Sequence, residues 1–162
     1  MVERFHGTGL NDGCNFGVDL QCEPCESAQC GVCNICRTGF ALDRAGATGG
    51  QRMSLRYGRG LYFSDTSGKS NDYNQASERQ RHIAGHGSQP WRCMFLCQVV
   101  AGRTHRTTHG HIEQPQIEQL LAQGLDSVTG EVGPNLNYDE IVVYDEAAAV
   151  PNYLIVYALT PC

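Results

Sequence analysis

Five of the nine cysteines lie close together in the sequence, in the order Cys22, Cys25, Cys30, Cys33 and Cys36. The first four form two CxxC pairs, with four residues between the pairs. A CxxC pair brings two thiolates to one ion, and four sulfurs at about 2.3 Å from it make a closed, structural zinc site. The spacing therefore predicts a structural zinc with Cys22, Cys25, Cys30 and Cys33 as ligands and with no coordination position left for catalysis.

The fourth ligand stays open, because Cys14 or Cys36 can take the place of Cys22 in a small insertion at about 14–36. Nine is an odd number, so the cysteines cannot all pair within one chain. In a reducing compartment, a tight cysteine cluster indicates a metal more often than it indicates disulfides. Free thiols, or disulfides in a secreted protein, are the alternative.

Composition sets the class of protein. The 162 residues carry 12 basic and 17 acidic side chains, a net charge of −5, and 41% of them are hydrophobic. This balance predicts a single domain over 1–162 that buries a core, and it argues against a nucleic-acid partner. No apolar run approaches the roughly 20 residues of a membrane span, and the N-terminus lacks the apolar core of a signal peptide. We therefore expect an intracellular monomer, in cytoplasm or nucleus, that binds no membrane.

The hydrophobic pattern predicts the elements that must position a site. An apolar run between Pro90 and Gly102, CMFLCQVV at 93–100, predicts a buried strand. Further strands are predicted at 2–6, within GRGLYFS, at 140–144 and at 153–159, the last two separated by a loop that contains Pro151. Short helices are predicted at about 32–40, with Gly39 as a candidate end, and at 65–75. Surface loops are predicted at 41–59 and 79–90, and turns at 124–133. These elements predict an α+β domain with a mainly antiparallel sheet.

Three fragments stand apart from this pattern: FHGT at 5–8, YGRGLYFSDTSGKSNDY at 57–73 and LNYDEIVVY at 136–144. Each is ordinary by itself, since turn histidines, half-buried tyrosines and strand-edge glutamates all have purely structural uses. In their order and spacing they resemble the catalytic domain of the poly(ADP-ribose) polymerase family, within the diphtheria-toxin-like ADP-ribosyltransferases. Tankyrases and short fungal members look similar. The resemblance implies an ADP-ribosyltransferase fold with split, mainly antiparallel β-sheets, short helices and, here, the zinc-binding insertion.

The resemblance implies that the chain uses NAD as substrate and transfers ADP-ribose to a protein acceptor or to itself, with His6, Tyr62 and Glu140 as catalytic residues. Cleaving the nicotinamide–ribose bond builds positive charge on the ribose, as in glycosidases. A nearby carboxylate stabilises that charge. By resemblance, Glu140 hydrogen-bonds the 2′-hydroxyl of the nicotinamide ribose and helps to orient or deprotonate the acceptor. His6 would bind a ribose hydroxyl of the adenosine half.

The same resemblance implies an NAD-binding slot made of His6, Gly7, Thr8, Tyr62, Phe63, Ser70 and Tyr73. The backbone of Gly7 and the hydroxyl of Ser70 would hold the carboxamide. Tyr73 would stack on the nicotinamide ring, and Tyr62 would line the opposite face. Lys69, at the family's lysine position, would line the acceptor side or lie on a solvated face.

The chain also departs from the family pattern. Only five residues precede His6, where the family has helices and a strand, so we expect a minimal version of the domain or a chain that begins late. The helical regulatory domain of the nuclear members has no counterpart in the sequence. Ala41 stands where several relatives have an arginine that contacts adenine, and Arg44 is the candidate substitute.

A second zinc site, in the region where tankyrases have theirs, would draw on His82, His86, Cys93 and Cys97. Cys93 and Cys97 share one predicted strand, and at about 3.3 Å per residue they would lie about 13 Å apart. Two sulfurs on one zinc lie within about 4.6 Å of each other. We therefore expect no zinc there.

Three other functions stay open. An NAD glycohydrolase would use the same slot with water as the acceptor. A catalytically silent module would bind NAD or ADP-ribose without turnover, and a zinc-stabilised interaction module would need no nucleotide. The presence of His6, Tyr62 and Glu140 together favours an enzyme.

Overall fold

The computed structural model describes residues 1–11, 13–46, 55–73 and 91–159, together with the backbone of two short strands at 81–83 and 87–89. Within these residues there are nine strands, which are β1 Val2–Gly7, β2 Leu61–Ser64, β3 Arg81–Ile83, β4 Gly87–Gln89, β5 Trp91–Val99, β6 Thr104–Thr107, β7 Ser127–Gly130, β8 Glu140–Val143 and β9 Ala149–Ala158. The α-helices are α1 Gly31–Thr38, α2 Ser67–Asp72 and α3 Gln114–Ala122, and there are 3-10 turns at Leu42–Arg44 and Glu146–Ala148. Seven strands form one sheet in the order β6-β7-β8-β2-β1-β5-β9, and β3 pairs with β4.

The sheet is mainly antiparallel, as predicted, since only β6 and β7 pair in parallel. The structure differs from the predicted split sheets, because all seven strands are connected. The connection between β1 and β2 is nevertheless a single residue pair, Phe5 with Ser64. Next to this pair, the His6 side chain adds a second link between the two strands, through Nδ1 and the Tyr62 carbonyl.

β5 lies inside the sheet, as its apolar run predicts, between β1 and the edge strand β9. Pro151 belongs to β9, although the sequence suggested a loop there. Proline cannot donate a hydrogen bond to a neighbouring strand, so it is tolerated at edges and irregularities. Both conditions hold here, because β9 ends the sheet and its register shifts opposite Leu96 and Cys97.

Other expected loops are strands. The segment predicted as a loop at 79–90 contains the hairpin of β3 and β4, and the turn-rich segment at 124–133 contains β7. β7 reads SVTG, a sequence without apolar alternation, yet all four of its residues are buried because it lies between β6 and β8. The place of β7 between two other strands, and not its local sequence, therefore makes it a strand.

Hydrophobic clusters cover both faces of the middle of the sheet. Ile141 and Val143 of β8 pack in one cluster and Val142 packs in the other, as the two-residue period of a strand requires. α1 contributes Val32 to the first cluster, and α3 contributes Ile117 to the second. None of the helices in the described ranges combines the length and hydrophobicity that crossing a membrane requires.

Candidate active site

A cleft of about 430 Å³ opens where β1, β2, β8 and α2 meet. Its volume lies within the roughly 300–1,000 Å³ typical of ligand pockets. The structure brings together on its walls all the predicted catalytic and NAD-binding residues, which are His6, Gly7, Thr8, Tyr62, Phe63, Ser70, Tyr73 and Glu140. Lys69 and Arg44 line the same cleft.

His6 is fixed in one tautomer. Its Nδ1 lies 2.9 Å from the carbonyl oxygen of Tyr62, and because a carbonyl only accepts, Nδ1 carries the proton. The imidazole packs against Phe40 and Phe63, with ring centroids 5.0 and 5.5 Å away. Burial lowers the pKa of His6, against the smaller raising effect of the Tyr62 carbonyl. The ring is therefore neutral near pH 7, with Nε2 free of a proton and able to accept a hydrogen bond.

Phe63 lines the cleft and is also part of the core. It is 2% exposed, and its ring meets Phe40 edge-on at 5.3 Å and packs in the core cluster behind His6. Its ring also packs against the imidazole of His6, with ring centroids 5.5 Å apart. The alternation of β2 explains this, since Tyr62 and Phe63 face opposite sides of the sheet.

Glu140 is the buried acid of the cleft, with only 3% of its side chain exposed. Its Oε1 lies 2.8 Å from Nζ of Lys69 and accepts a hydrogen bond from the Tyr73 hydroxyl at 3.3 Å. Its Oε2 is buried and has no hydrogen-bond partner among the described residues. One oxygen of the carboxylate is thus fully occupied, while the other is available to a group entering the cleft.

Tyr73 keeps its proton at neutral pH. Burial, and then the neighbouring charge of Glu140, raise the pKa of Tyr73 well above its ordinary value. The ammonium of Lys69 lies 5.8 Å from the centre of the Tyr73 ring. The sequence placed Lys69 on the acceptor side or on a solvated face, and its ion pair with Glu140 had no local signal because 71 positions separate the two residues.

Tyr62 is held by its hydroxyl, which donates to the Gly58 carbonyl at 2.8 Å and accepts from the Tyr57 amide at 2.9 Å. Burial raises the pKa of Tyr62 far above its ordinary value, so this hydroxyl also keeps its proton. Tyr57 itself is fully buried, and its hydroxyl donates to the His109 carbonyl. The end of the predicted 41–59 loop is therefore part of the core and fixes the orientation of the Tyr62 ring.

Gly7 lies against the backbone of α2. A Cβ atom at this position would collide with the carbonyl oxygen of Ser70 and would lie 3.0 Å from Cβ of Tyr73. On its other side, Gly7 pairs with Met94 of β5, so β1 has no room to retreat. Glycine is therefore required for α2 to reach the cleft, in addition to any contact with a ligand.

α1 contributes another part of the cleft wall. It ends at Gly39 with φ of 79°, as the sequence predicted, and Gly31, Asn34, Ile35 and Thr38 face the cleft. Ala41 and Arg44 follow on the same wall. The sequence did not assign Asn34 to the site, because an asparagine within a cysteine-rich segment gives no signal of its own.

Four cysteines meet behind α1, and they are Cys14, Cys25, Cys30 and Cys33. Their sulfur atoms all lie within 4.8 Å of one another, and those of Cys14 and Cys33 are 3.5 Å apart. A tetrahedral site with bonds of about 2.3 Å separates its sulfurs by about 3.8 Å, so the group fits a zinc ion. The fourth sulfur is that of Cys14, which the spacing left as an alternative ligand, and not that of Cys22, which the spacing favoured.

The remaining cysteines lie apart from this group. The thiol of Cys22 contacts Asp19 at 3.7 Å, and Cys36 is exposed on α1. Cys93 and Cys97 are buried in β5, where burial raises the pKa of Cys97 to about 12. Within the described residues the four-cysteine group is the single metal-type cluster, and of the other residues weighed for a second site, His82 belongs to β3 and His86 lies outside the described residues.

The four thiols of the cluster form hydrogen bonds with one another. Burial raises the pKa of Cys33 strongly and that of Cys14 as well. At Cys25 the effect of burial is outweighed by hydrogen bonds from the Ser27 amide and from the other three thiols, and the pKa is lowered. Four sulfurs this close together are a donor set that a divalent metal can bind once the thiols release their protons.

The comparison with known families agrees with this geometry. A family model described as the poly(ADP-ribose) polymerase catalytic domain matches residues 27–131, which is more than half of the chain. The chain therefore belongs to the poly(ADP-ribose) polymerase catalytic domain family, and it does so through a segment that includes Tyr62, Ser70 and Tyr73. His6 and Glu140 lie outside that segment, and it is the fold that brings them to the same cleft. No curated protein matches the chain at a significant level.

Family membership has a general functional meaning. Domains of this family use NAD as the substrate of ADP-ribosyl transfer, so membership points to an NAD-dependent ADP-ribosyltransferase. Which reaction this chain performs, and on what acceptor, depends on the residues of the cleft.

Proposed function

We propose that the protein is an active NAD-dependent ADP-ribosyltransferase, which cleaves the nicotinamide–ribose bond and transfers ADP-ribose to a protein acceptor or to itself. The observation that carries this proposal is Glu140, a buried carboxylate at the cleft with Oε1 bound to Lys69 and Tyr73 and with Oε2 unpartnered. A buried oxygen without a partner destabilises a fold unless a ligand supplies a donor. A ribose hydroxyl is such a donor.

Glu140 would act on the sugar at the reacting bond. As nicotinamide leaves, positive charge develops on the ribose, and a carboxylate held close by stabilises it. Oε2 would accept the hydrogen bond of the 2′-hydroxyl, while Lys69 and Tyr73 prevent the carboxylate from rotating. The same oxygen would help to orient or deprotonate the incoming nucleophile.

His6 would bind the adenosine half. Its Nδ1–H donates a hydrogen bond to the Tyr62 carbonyl, so only Nε2 remains to meet a ligand, and Nε2 can only accept. A ribose hydroxyl of the adenosine satisfies this requirement. The nicotinamide would lie at the other end, with its carboxamide on the Gly7 backbone and the buried Ser70.

The nicotinamide ring would lie between two tyrosines. Tyr73 and Tyr62 both line the cleft, and both keep their protons because burial raises their pKa values. Neutral aromatic faces on both sides of a slot favour a flat ring over a sugar. Thr8, buried beside the start of α1, would stay close to the ribose.

Zinc would be held by Cys14, Cys25, Cys30 and Cys33. Four sulfur ligands fill a tetrahedral site, so the ion would leave no position for substrate and its function would be structural. Its ligands come from three places, namely the loop after β1, the loop before α1 and α1 itself. An ion bound to all three would hold together a segment in which few backbone hydrogen bonds do so.

The experiment uses zinc-loaded protein and NAD labelled in its adenylate half. Released nicotinamide and label retained on protein are measured together, for wild type and for Glu140→Gln. Replacing a carboxylate that stabilises the transition state lowers the rate by about 10²–10³-fold. We expect both signals to fall by that factor. The matched control is Glu118→Gln, which removes the same charge from an exposed position on α3.

The outcomes separate the candidate functions. Label on wild-type protein that disappears in Glu140→Gln supports transfer with Glu140 in the mechanism. Free ADP-ribose without protein-bound label would show a glycohydrolase. Binding of nicotinamide or ADP-ribose without any release of nicotinamide would refute the enzyme and leave a nucleotide-binding module.

A further inference from the structure

α1 lies between the four-cysteine cluster and the cleft. Cys30 immediately precedes the helix, and Cys33 lies in its first turn, where both are fully buried. The same short helix presents Asn34, Ile35 and Thr38 to the cleft. A change in how the cysteines are held therefore reaches the cleft through a single helical turn.

Asn34 joins the two sides. It is 7% exposed, and its Nδ2 lies 3.1 Å from the Ser27 carbonyl, 3.1 Å from the Ala28 carbonyl and 2.8 Å from the Cys30 carbonyl. These three carbonyls form the turn that leads into the helix between two of the cysteines. Because Asn34 also lines the cleft, one side chain contacts both the cysteine-bearing turn and the space that a ligand would enter.

The beginning of α1 rests on the turn that follows His6 and Gly7. The amide of Val32 donates to the Gly9 carbonyl at 3.3 Å. Gly31 lies so close to the Thr8 hydroxyl that a Cβ atom would overlap it. The helix therefore also fixes the backbone that leaves the proposed NAD-binding residues.

α1 has little intrinsic stability. It has eight residues, no side-chain hydrogen bond at its N-cap and no acidic residue in its first turn. Isolated helices shorter than about 12 residues are marginal in water, so a helix of this length depends on its tertiary contacts. The strongest bonds that hold this helix in place would be the metal–sulfur bonds at Cys30 and Cys33.

We infer that occupancy of the four-cysteine metal site and binding of the ADP-ribose part of NAD are coupled through α1, so that each raises the affinity for the other. This inference rests on the proposed function, because it takes the cleft to be the NAD site. The coupling is selective. In the proposed nicotinamide end, Ser70 and Tyr73 come from α2 and the residue after it and pack against Gly7, not against α1, so we expect this end to change less with the metal.

The first measurement compares ligand affinity with and without metal. ADP-ribose and nicotinamide are titrated separately into the zinc-loaded full chain and into the chain after chelation. Couplings between sites commonly change affinity by about 5–150-fold. We expect chelation to weaken ADP-ribose binding by at least the lower end of that range, and nicotinamide binding by no more than about twofold, as for independent sites.

Matched variants assign the effect to the cluster. Cys25→Ser removes one of the four sulfurs and should reproduce chelation. Cys22→Ser removes a nearby thiol outside the group and should behave as wild type. Asn34→Ala leaves all four sulfurs in place, and we expect it to bind zinc while losing most of the coupling.

The second measurement needs only the loaded, folded protein. Zinc transfer to a chromophoric chelator is followed with and without saturating ADP-ribose, because coupling is reciprocal. We expect ADP-ribose to slow zinc release by a factor similar to the affinity change, and nicotinamide to leave it unchanged. If the chelated protein unfolds, the zinc-release measurement alone tests the coupling.

Equal zinc release with and without ADP-ribose would overturn the coupling while the proposed NAD site remained. Failure of loaded wild type to bind either ligand would refute the proposed function, and the coupling with it. Failure of the folded chain to bind zinc would refute the metal site alone, and with it this inference, but not the transferase.

Discussion

Gly7→Ala tests whether the approach of α2 to the end of β1 builds the cleft. The added methyl group would overlap the carbonyl oxygen of Ser70, which is backbone and cannot rotate away. β1 cannot move aside either, because Gly7 is paired with Met94 of β5. The substitution must therefore displace α2, and with it Lys69 and Tyr73, which hold Glu140.

The size of the effect follows from this geometry. Forcing a methyl group into a packed interior costs about 1–3 kcal/mol. In a domain of about 150–250 residues each kcal/mol lowers the melting temperature by roughly 2–4 °C, so we expect a fall of about 2–12 °C. A displacement of about 1 Å in positioning groups lowers a rate by about 10²-fold, which is the loss that we expect in nicotinamide release.

Gly9→Ala is the matched control. It adds the same methyl group two residues further along, where nothing lies within 4 Å of the new Cβ. Thermal melting and nicotinamide release are measured for both variants beside wild type. A Gly7→Ala protein with wild-type melting and turnover would show that α2 is not packed as described and would refute the reasoning.

Three further outcomes are expected. Tyr62→Phe leaves the Gly58 carbonyl and the Tyr57 amide without their partner, which should cost about 1–3 kcal/mol in urea unfolding; an unchanged midpoint would contradict the anchoring of that turn. Because the pKa of His6 is lowered in the folded chain, the unfolded chain takes up a proton first as the pH falls below about 6.5. The free energy of unfolding should therefore keep its full His6 contribution above that pH and decline below it. Thermal melting between pH 8 and 5 should show this decline in wild type and a smaller one in His6→Gln, and equal slopes would contradict it. Zinc at about 100 times its dissociation constant should add about 2.7 kcal/mol of stability, and a chelator should remove it; a melting temperature insensitive to both would argue against a structural metal.

The fold was predictable where hydrophobic pattern and position in the sheet agree. β5 was found from its apolar run, and the short helix that ends at Gly39 from its spacing and its terminal glycine. β7 was not, because SVTG has neither alternation nor bulk, and its burial results from neighbours far away in the sequence. The hairpin of β3 and β4 was missed for a different reason, because its pairing is local but its sequence has the composition of a loop.

The site was predictable as a set of residues and not as a set of contacts. Fragments of the sequence identified His6, Tyr62 and Glu140 as candidates for one cleft. No spacing rule could connect Lys69 with Glu140, or give Asn34 its place between the cysteines and the cleft. The fourth cysteine shows the limit most clearly, because CxxC spacing favoured Cys22, whereas the chain turns back after β1 and brings Cys14 to the other three.

Glu140 and His6 show why such a cleft needs the whole sheet. In neither side chain do residues adjacent in sequence determine whether the atom that faces the cleft can accept a hydrogen bond. Lys69 of α2 and Tyr73 just after it hold Oε1 of Glu140, which leaves Oε2 without a partner among the described residues. Nε2 of His6 is an acceptor because the Nδ1–H donates to the Tyr62 carbonyl of β2. α2 reaches Glu140 only because residue 7 lacks a side chain. His6 lies on β1, Glu140 begins β8, and β2 pairs with both strands, so the sheet sets the separation of these two acceptors.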